Sequence, residues 1–268
     1  MNGDLDVWVE GIGVWAPGLP NWDHLCAHLA GQPTAEDAPK RPAAGLLPPA
    51  ERRRAPDSVR LAVETAAQAV AMSGRDAAEL PSVFASAHGD AVIMDYMCET
   101  LATTPLEMSP TRFHNSVHNA AAGYWTIATG CHRSSNAICA GDASFGAGLL
   151  EATTLAASDA EAVLLAAFDA PGQGPLVEML STRTPFACAL VLSPQRTPQS
   201  RAALRLRLHA SGHPQQPPSN AHLRRLAREN ACGAALTLLE ALAQPTAGST
   251  RVAAGTGLTL HIETDVLA

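Results

Sequence analysis

Apolar residues recur along this chain in two rhythms. Residues 7–14 alternate between apolar and other positions and run into Gly11, Gly13, Pro17 and Gly18, the pattern of a strand leading into a turn. Asn21 then caps a short helix that reaches Ala30. Residues 33–56 are rich in Pro, Ala and Arg without any period, which predicts a mobile surface loop, and the run Arg52, Arg53, Arg54 inside it reads as a solvated face. Val59, Val63, Ala66, Ala67 and Val70 return at helical spacing over 58–73, and Gly74 stands where a helix C-cap belongs. A short apolar strand follows at 82–87, then a helix after Gly89 that includes Ile93, Tyr96 and Met97.

A second strand-to-helix passage runs through Asn136, Ile138 and Gly141 into 143–157. That helix has so little polar surface that it belongs inside the protein. Residues 162–167 and 186–192 are unbroken apolar runs, as expected of strands covered on both faces. Beyond Pro194 come a strand at 203–209, a Pro/Gln loop, a helix at 221–242 and a last strand at 257–263. Strands alternating with helices predict an α/β fold.

Composition narrows the partners. A chain of 268 residues, 47% hydrophobic, can bury a core in one large domain or two closely joined halves. A net charge of −7 provides no basic field for a phosphate backbone, so nucleic acid is not the expected partner. There is no apolar run long enough to span a bilayer, and Asp4, Asp6 and Glu10 are out of place in a signal peptide, so a cytoplasmic protein without membrane insertion is expected. Cys26, Cys98, Cys131, Cys139, Cys188 and Cys232 form no CxxC pair; free thiols, buried or partly buried, are expected instead of a zinc site or disulfides.

Two local patterns invite a chemical reading. The stretch from Gly141 through Asp142, Ala143, Ser144 and Phe145 to Gly146 has half of a GxSxG elbow, but Asp142 stands where glycine is needed, which makes Ser144 a structural serine. His114 and His118 are spaced as an HxxxH pair. They precede Asn119 in an irregular stretch without a third ligand, so a groove or dimer seam is expected there and no metal. No cofactor motif is present.

Ser109-Pro110, the step from Asn119 through three alanines to Gly123, the strand before Gly141, the buried helix after it and the apolar run from Val163 to Asp169 follow one another in a recognisable order. The chain resembles the β-ketoacyl synthase family of the thiolase superfamily over residues 7–192. The resemblance implies a thiolase-like fold with layers α-β-α-β-α, residues 1–195 forming its first half and 196–268 a shortened second half that completes it. Counted from Asn119, the family's nucleophilic cysteine falls on Asp142. A ketosynthase uses a thiolate at a helix N-terminus to accept an acyl chain as a thioester. A carboxylate is no substitute, because an acyl anhydride is far more labile, and Cys139 comes three residues too early, in the strand. Asn230 stands where the second active-site histidine would be. The other histidine has no counterpart, since His209 and His213 lie in an unrelated context.

The resemblance therefore implies a catalytically inactive subunit of chain length factor type, as found in type II polyketide and aryl polyene or xanthomonadin-like biosynthesis. Its partners would be an active β-ketoacyl synthase, in a heterodimer, and an acyl carrier protein. Acyl-tunnel or interface positions would be His88, Arg112, Phe113, Val117, His118, Asn119 and Phe145, with Arg112 meeting a polar or aryl end group. Two other readings stay open: an acyltransferase or decarboxylase using Asp142, Ser144 or His118, and a scaffold that binds acyl carrier protein without any tunnel.

Overall fold

The computed structural model describes residues 4–35, 37–210 and 216–267, so His213 lies outside it. The first part of the chain runs β1 (Leu5–Trp15), α1 (Trp22–Leu29), α2 (Pro49–Arg54), α3 (Asp57–Ser73), β2 (Ser82–Ala85), α4 (Ala91–Thr103), α5 (Pro110–Asn115) and α6 (Ala120–Thr129). There follow β3 (Ser135–Ile138), α7 (Ser144–Asp159), β4 (Val163–Asp169), β5 (Phe186–Ser193), β6 (Ala202–His209), α8 (Ala221–Arg228), α9 (Ala235–Leu242), β7 (Gly248–Gly255) and β8 (Leu258–Val266).

The strands hydrogen-bond in the order β3-β2-β4-β5-β1-β6-β8-β7. β2 is parallel to β3 and β4; the other pairings are antiparallel. β1 joins two groups of strands, because its first residues pair with β6 and its later ones with β5. A bulge at Glu10 shifts its register between Val9 and Gly11. Val7 and Val9 before the bulge, and Ile12 and Val14 after it, thereby face the same core. The bulged carboxylate is buried and held by Arg75 and by the Thr197 hydroxyl (2.6 Å). Burial raises its pKa, but these bonds outweigh that and leave it below the usual carboxylate range.

Continuous apolar runs serve two cores at once. In β4, Val163, Leu165 and Ala167 face inward to α7, while Leu164, Ala166 and Phe168 face α3 and α6; β5 alternates in the same way. α7 fits between two sheet surfaces because it is nearly bare: a Cβ on Gly146 would stand 2.0 Å from the Ala253 carbonyl oxygen of β7, and one on Gly148 2.8 Å from the Ala85 side chain of β2. The described residues thus build four layers: α3 and α6, the strands from β3 to β1, then α7 and α9, then β6-β8-β7. The outer face of that last group is polar. There Asp6 and Arg205 pair at 2.9 Å, Arg207 pairs with Asp4 at 2.8 Å, and Glu263 lies opposite Arg205, so the face is covered by charges.

Four expectations need correction. Residues 33–56 are no mobile loop throughout: they contain α2, bury Ala44 and Leu47, and are tied to α3 where the Ala44 N–H meets the Glu64 carboxylate (2.7 Å). The single helix over 221–242 is two helices, interrupted by a 3-10 turn at Ala231–Ala234 that Asn230 caps. β7 has no apolar run and was not expected, although Thr250, Val252 and Ala254 bury one face of it. Cys98 and Cys139 are exposed thiols.

Candidate functional site

The elbow that follows β3 begins at Cys139, whose Sγ lies 3.4 Å from the Ala87 carbonyl, one residue past the strand. Gly141 takes a left-handed conformation (φ +56°), which turns the chain into α7. Ser144, fully buried, closes this turn: its hydroxyl donates to the Gly141 carbonyl (2.6 Å) and accepts from the Ala140 N–H (3.0 Å). It is therefore a turn-forming serine. Asp142 projects from the elbow into an exposed position, and its Oδ1 accepts a 2.6 Å bond from the Ser181 hydroxyl. Ser181 Oγ is also 3.4 Å from His88 Nε2, so the elbow, the segment after β4 and the end of β2 meet in one polar chain.

Beneath that chain lies Asp169, the last residue of β4, with no exposed surface. Its carboxyl accepts from the Ser86 hydroxyl (2.8 Å) and from the backbone N–H groups of Ala87 and His88 (3.1 Å each), and it receives the Cys232 thiol at 3.0 Å. Burial pushes the Asp169 pKa up, and the hydrogen bonds only partly offset it. The Cys232 thiol is also pushed well up, first by burial and then by the neighbouring carboxylate. A thiol in that setting is inert.

Asn230 is 3% exposed. Its amide donates to the carbonyls of Asp169 and Thr184 (2.9 Å each), and its Oδ1 accepts from the Cys232 N–H (2.9 Å). Its side chain is a tie between β4, the segment before β5 and the turn before α9. Residues 181–184 complete that tie. Thr182 Oγ1 accepts from the Ala231 N–H, and the N–H groups of Arg183 and Thr184 both reach the Glu229 carbonyl. The sequence reading missed these residues; the polar run Ser181-Thr182-Arg183-Thr184 between two apolar strands was the available signal.

The proposed tunnel and interface residues divide into three groups. His88 joins Asp142 through Ser181, and His118 is nearby, with Nε2 2.9 Å from the Ser86 carbonyl. Arg112, Phe113, Val117 and Asn119 lie on or just after α5, on an exposed face. Arg112 stacks over the Tyr96 ring at 4.0 Å, and Phe113 is 59% exposed. Val117 and Asn119 border an apolar groove of about 330 Å³ with Leu47, Tyr124 and Ile127. Phe145 is apart from both, enclosed in the core between the two groups of strands. His114 sits on the short helix α5 and not in an irregular stretch. Among the described residues no group of three or more His, Cys, Asp or Glu side chains is placed to hold a metal ion.

β3 is one of the two edge strands and, among the described residues, pairs with β2 alone. Beside it, Ile127 of α6 is 79% exposed. An open strand edge next to a large exposed apolar side chain is a feature of surfaces that pair with another chain.

Residues 22–252 match the family model described as β-ketoacyl synthase, N-terminal domain. No curated protein matches the chain. Its fold is similar to that of a ketosynthase (ApeO) in complex with its chain length factor (ApeC) from Xenorhabdus doucetiae, at 24% identity and a TM-score of 0.70, covering 96% of this chain and 99% of that one. A type II polyketide synthase acyl-carrier protein in complex with its ketosynthase bound to the hexaketide (AntDE:AntF) is similar at 13% identity and a TM-score of 0.72, covering 98% and 100%. The ishigamide ketosynthase/chain length factor gives 13% identity and 0.67, with 98% and 100% covered.

Proposed function

The chain belongs to the β-ketoacyl synthase N-terminal domain family, and on that premise we propose that it is a non-catalytic subunit of chain length factor type, which pairs with an active ketosynthase. The observation that supports this most is the elbow. Where acyl transfer needs a thiolate, the chain has the Asp142 carboxylate, already engaged by Ser181. Asn230, where a histidine would assist decarboxylation, spends its amide on backbone groups and has no titratable proton to offer. Residues 1–195 and 196–268 are then the two unequal halves of one degenerate ketosynthase fold.

In this reading the β3 edge, with Phe113, Val117 and Ile127, meets the ketosynthase, and an obligate interface of that kind is large and apolar. The growing acyl chain stays on the partner's cysteine and its far end reaches the seam, where His88, Arg112, Phe113, Val117, His118 and Asn119 limit its length; Phe145 shapes the wall from within. Arg112, held over Tyr96, is the cation available to a polar or aryl end group of an aryl polyene-type product. The acyl carrier protein is expected at Lys40, Arg52 and Arg53, close to Arg41 and Arg54, which pair with Asp57 and Glu51. The complex works in the cytoplasm; no helix among the described residues is long and apolar enough to cross a membrane.

Co-purification with the ketosynthase of the same pathway tests the reading, followed by acyl loading from an acyl carrier protein thioester. A one-to-one complex is expected, with loading abolished by Cys→Ala in the partner and retained with Asp142→Ala here. Acylation of this chain, or turnover without the partner, would overturn it.

A further inference from the structure

Residues 179–185 belong to no helix or strand, yet they connect the three stations of the site. At one end the connection is strong. Thr182 is buried and accepts from the Ala231 N–H, the Arg183 and Thr184 N–H groups share the Glu229 carbonyl, the Thr184 hydroxyl reaches the Glu229 carboxylate at 2.6 Å, and the Thr184 carbonyl receives Asn230. At the other end Met179 is 83% exposed, and the described contact with the elbow is the Ser181 hydroxyl on Asp142, with His88 Nε2 at 3.4 Å from the same oxygen.

We propose that Asp142 is a positioning residue, the anchor that fastens this strap to the elbow and, through Ser181, orients His88. A carboxylate suits the task because a hydroxyl bonded to a charged acceptor is shorter and stronger than one bonded to a neutral acceptor. A cysteine at the same position is a weak acceptor and leaves Ser181 without its partner. The residue that removes the nucleophile thus gives the elbow a second role, holding the strap in one place. This deepens the reading of Asp142 as the occupant of the nucleophile position and rests on it.

Hydrogen exchange followed by mass spectrometry, on the full chain with and without its ketosynthase, tests the anchor. Ser181→Ala and Asp142→Ala are each expected to speed exchange of the amides at 176–182 about threefold, the scale of one exposed hydrogen bond. The double variant should be no faster than either single one, because both remove the same contact. Ser181→Thr and Asp142→Asn, which keep a donor and an acceptor, should restore most of the protection and serve if the alanine variants fold poorly. Unchanged exchange at 176–182 in both single variants, or effects that add in the double variant, would overturn the anchor. Acyl loading measured on the same samples separates the two ideas: loading that moves from the partner to this chain defeats the non-catalytic reading and leaves the exchange result to decide the anchor.

Discussion

At the elbow before α7 the polar side chain points outward; at the turn before α9 it is sealed in. Both are turns that feed a buried helix, and in the proposed function both carry a residue that differs from what a ketosynthase's catalysis requires. Asp142 is exposed and has one described partner, whereas Asn230 is 3% exposed and satisfies three backbone groups. Under the proposed function, the difference amounts to two ways of losing a catalytic group. An exposed position can change its chemistry and leave the architecture intact, while a buried one must become part of the architecture, because every polar atom placed there needs a partner.

The largest effect is expected at the buried turn. Asn230→Ala leaves two carbonyls and one N–H without their side-chain partner and should cost about 3 kcal/mol of stability, read from urea unfolding. A cost below about 1 kcal/mol would break the comparison. An intermediate effect is expected at Asp169, the floor shared by both turns. Its carboxyl pKa is raised by burial, so the folded chain holds that proton more firmly than the unfolded one. The stability it contributes is fully present below the ordinary carboxyl range and is lost as pH rises from there through the raised value. Unfolding midpoints of the unaltered chain should therefore fall more steeply across that interval than those of Asp169→Asn; parallel curves would show that Asp169 titrates alike in both states. The smallest effect is expected at the elbow, where Asp142→Ala removes one bond at an exposed site and should cost below about 1 kcal/mol, measured in the same unfolding assay. A cost as large as that of Asn230→Ala would erase the distinction between the two turns.

The elements that were legible in advance are those whose pattern is set by local physics. Gly74 ends α3 in a left-handed conformation and Asn21 caps α1, as their positions in the sequence imply. β4 and β5 were recognisable because a strand buried on both faces has no polar positions to interrupt it. The helix break at Asn230 is decided by its amide bonds to Asp169 and Thr184, which are distant in sequence. β7 was hidden for a related reason. Its Gly, Ser and Thr residues have low apolar content, and it becomes a strand by pairing with β8 and lying against α7.

Of the site, the residue type at the elbow could be read directly, because Asp142 carries a carboxylate and no thiol. Ser181, Thr182 and Thr184 could not, because their importance lies in contacts with residues about 40 or more positions away. Phe145 shows the same limit from the other side: its neighbour in sequence, Ser144, closes the elbow, yet its ring is turned into the inner core. Taken by itself, the sequence determined which groups stand at positions 142 and 230, a carboxylate and an amide, and determined the α/β order, through the period of its apolar residues. The tertiary structure alone decided which partners those two residues hold, because a hydrogen bond between distant segments depends on how the strands and helices pack, and no local pattern encodes it.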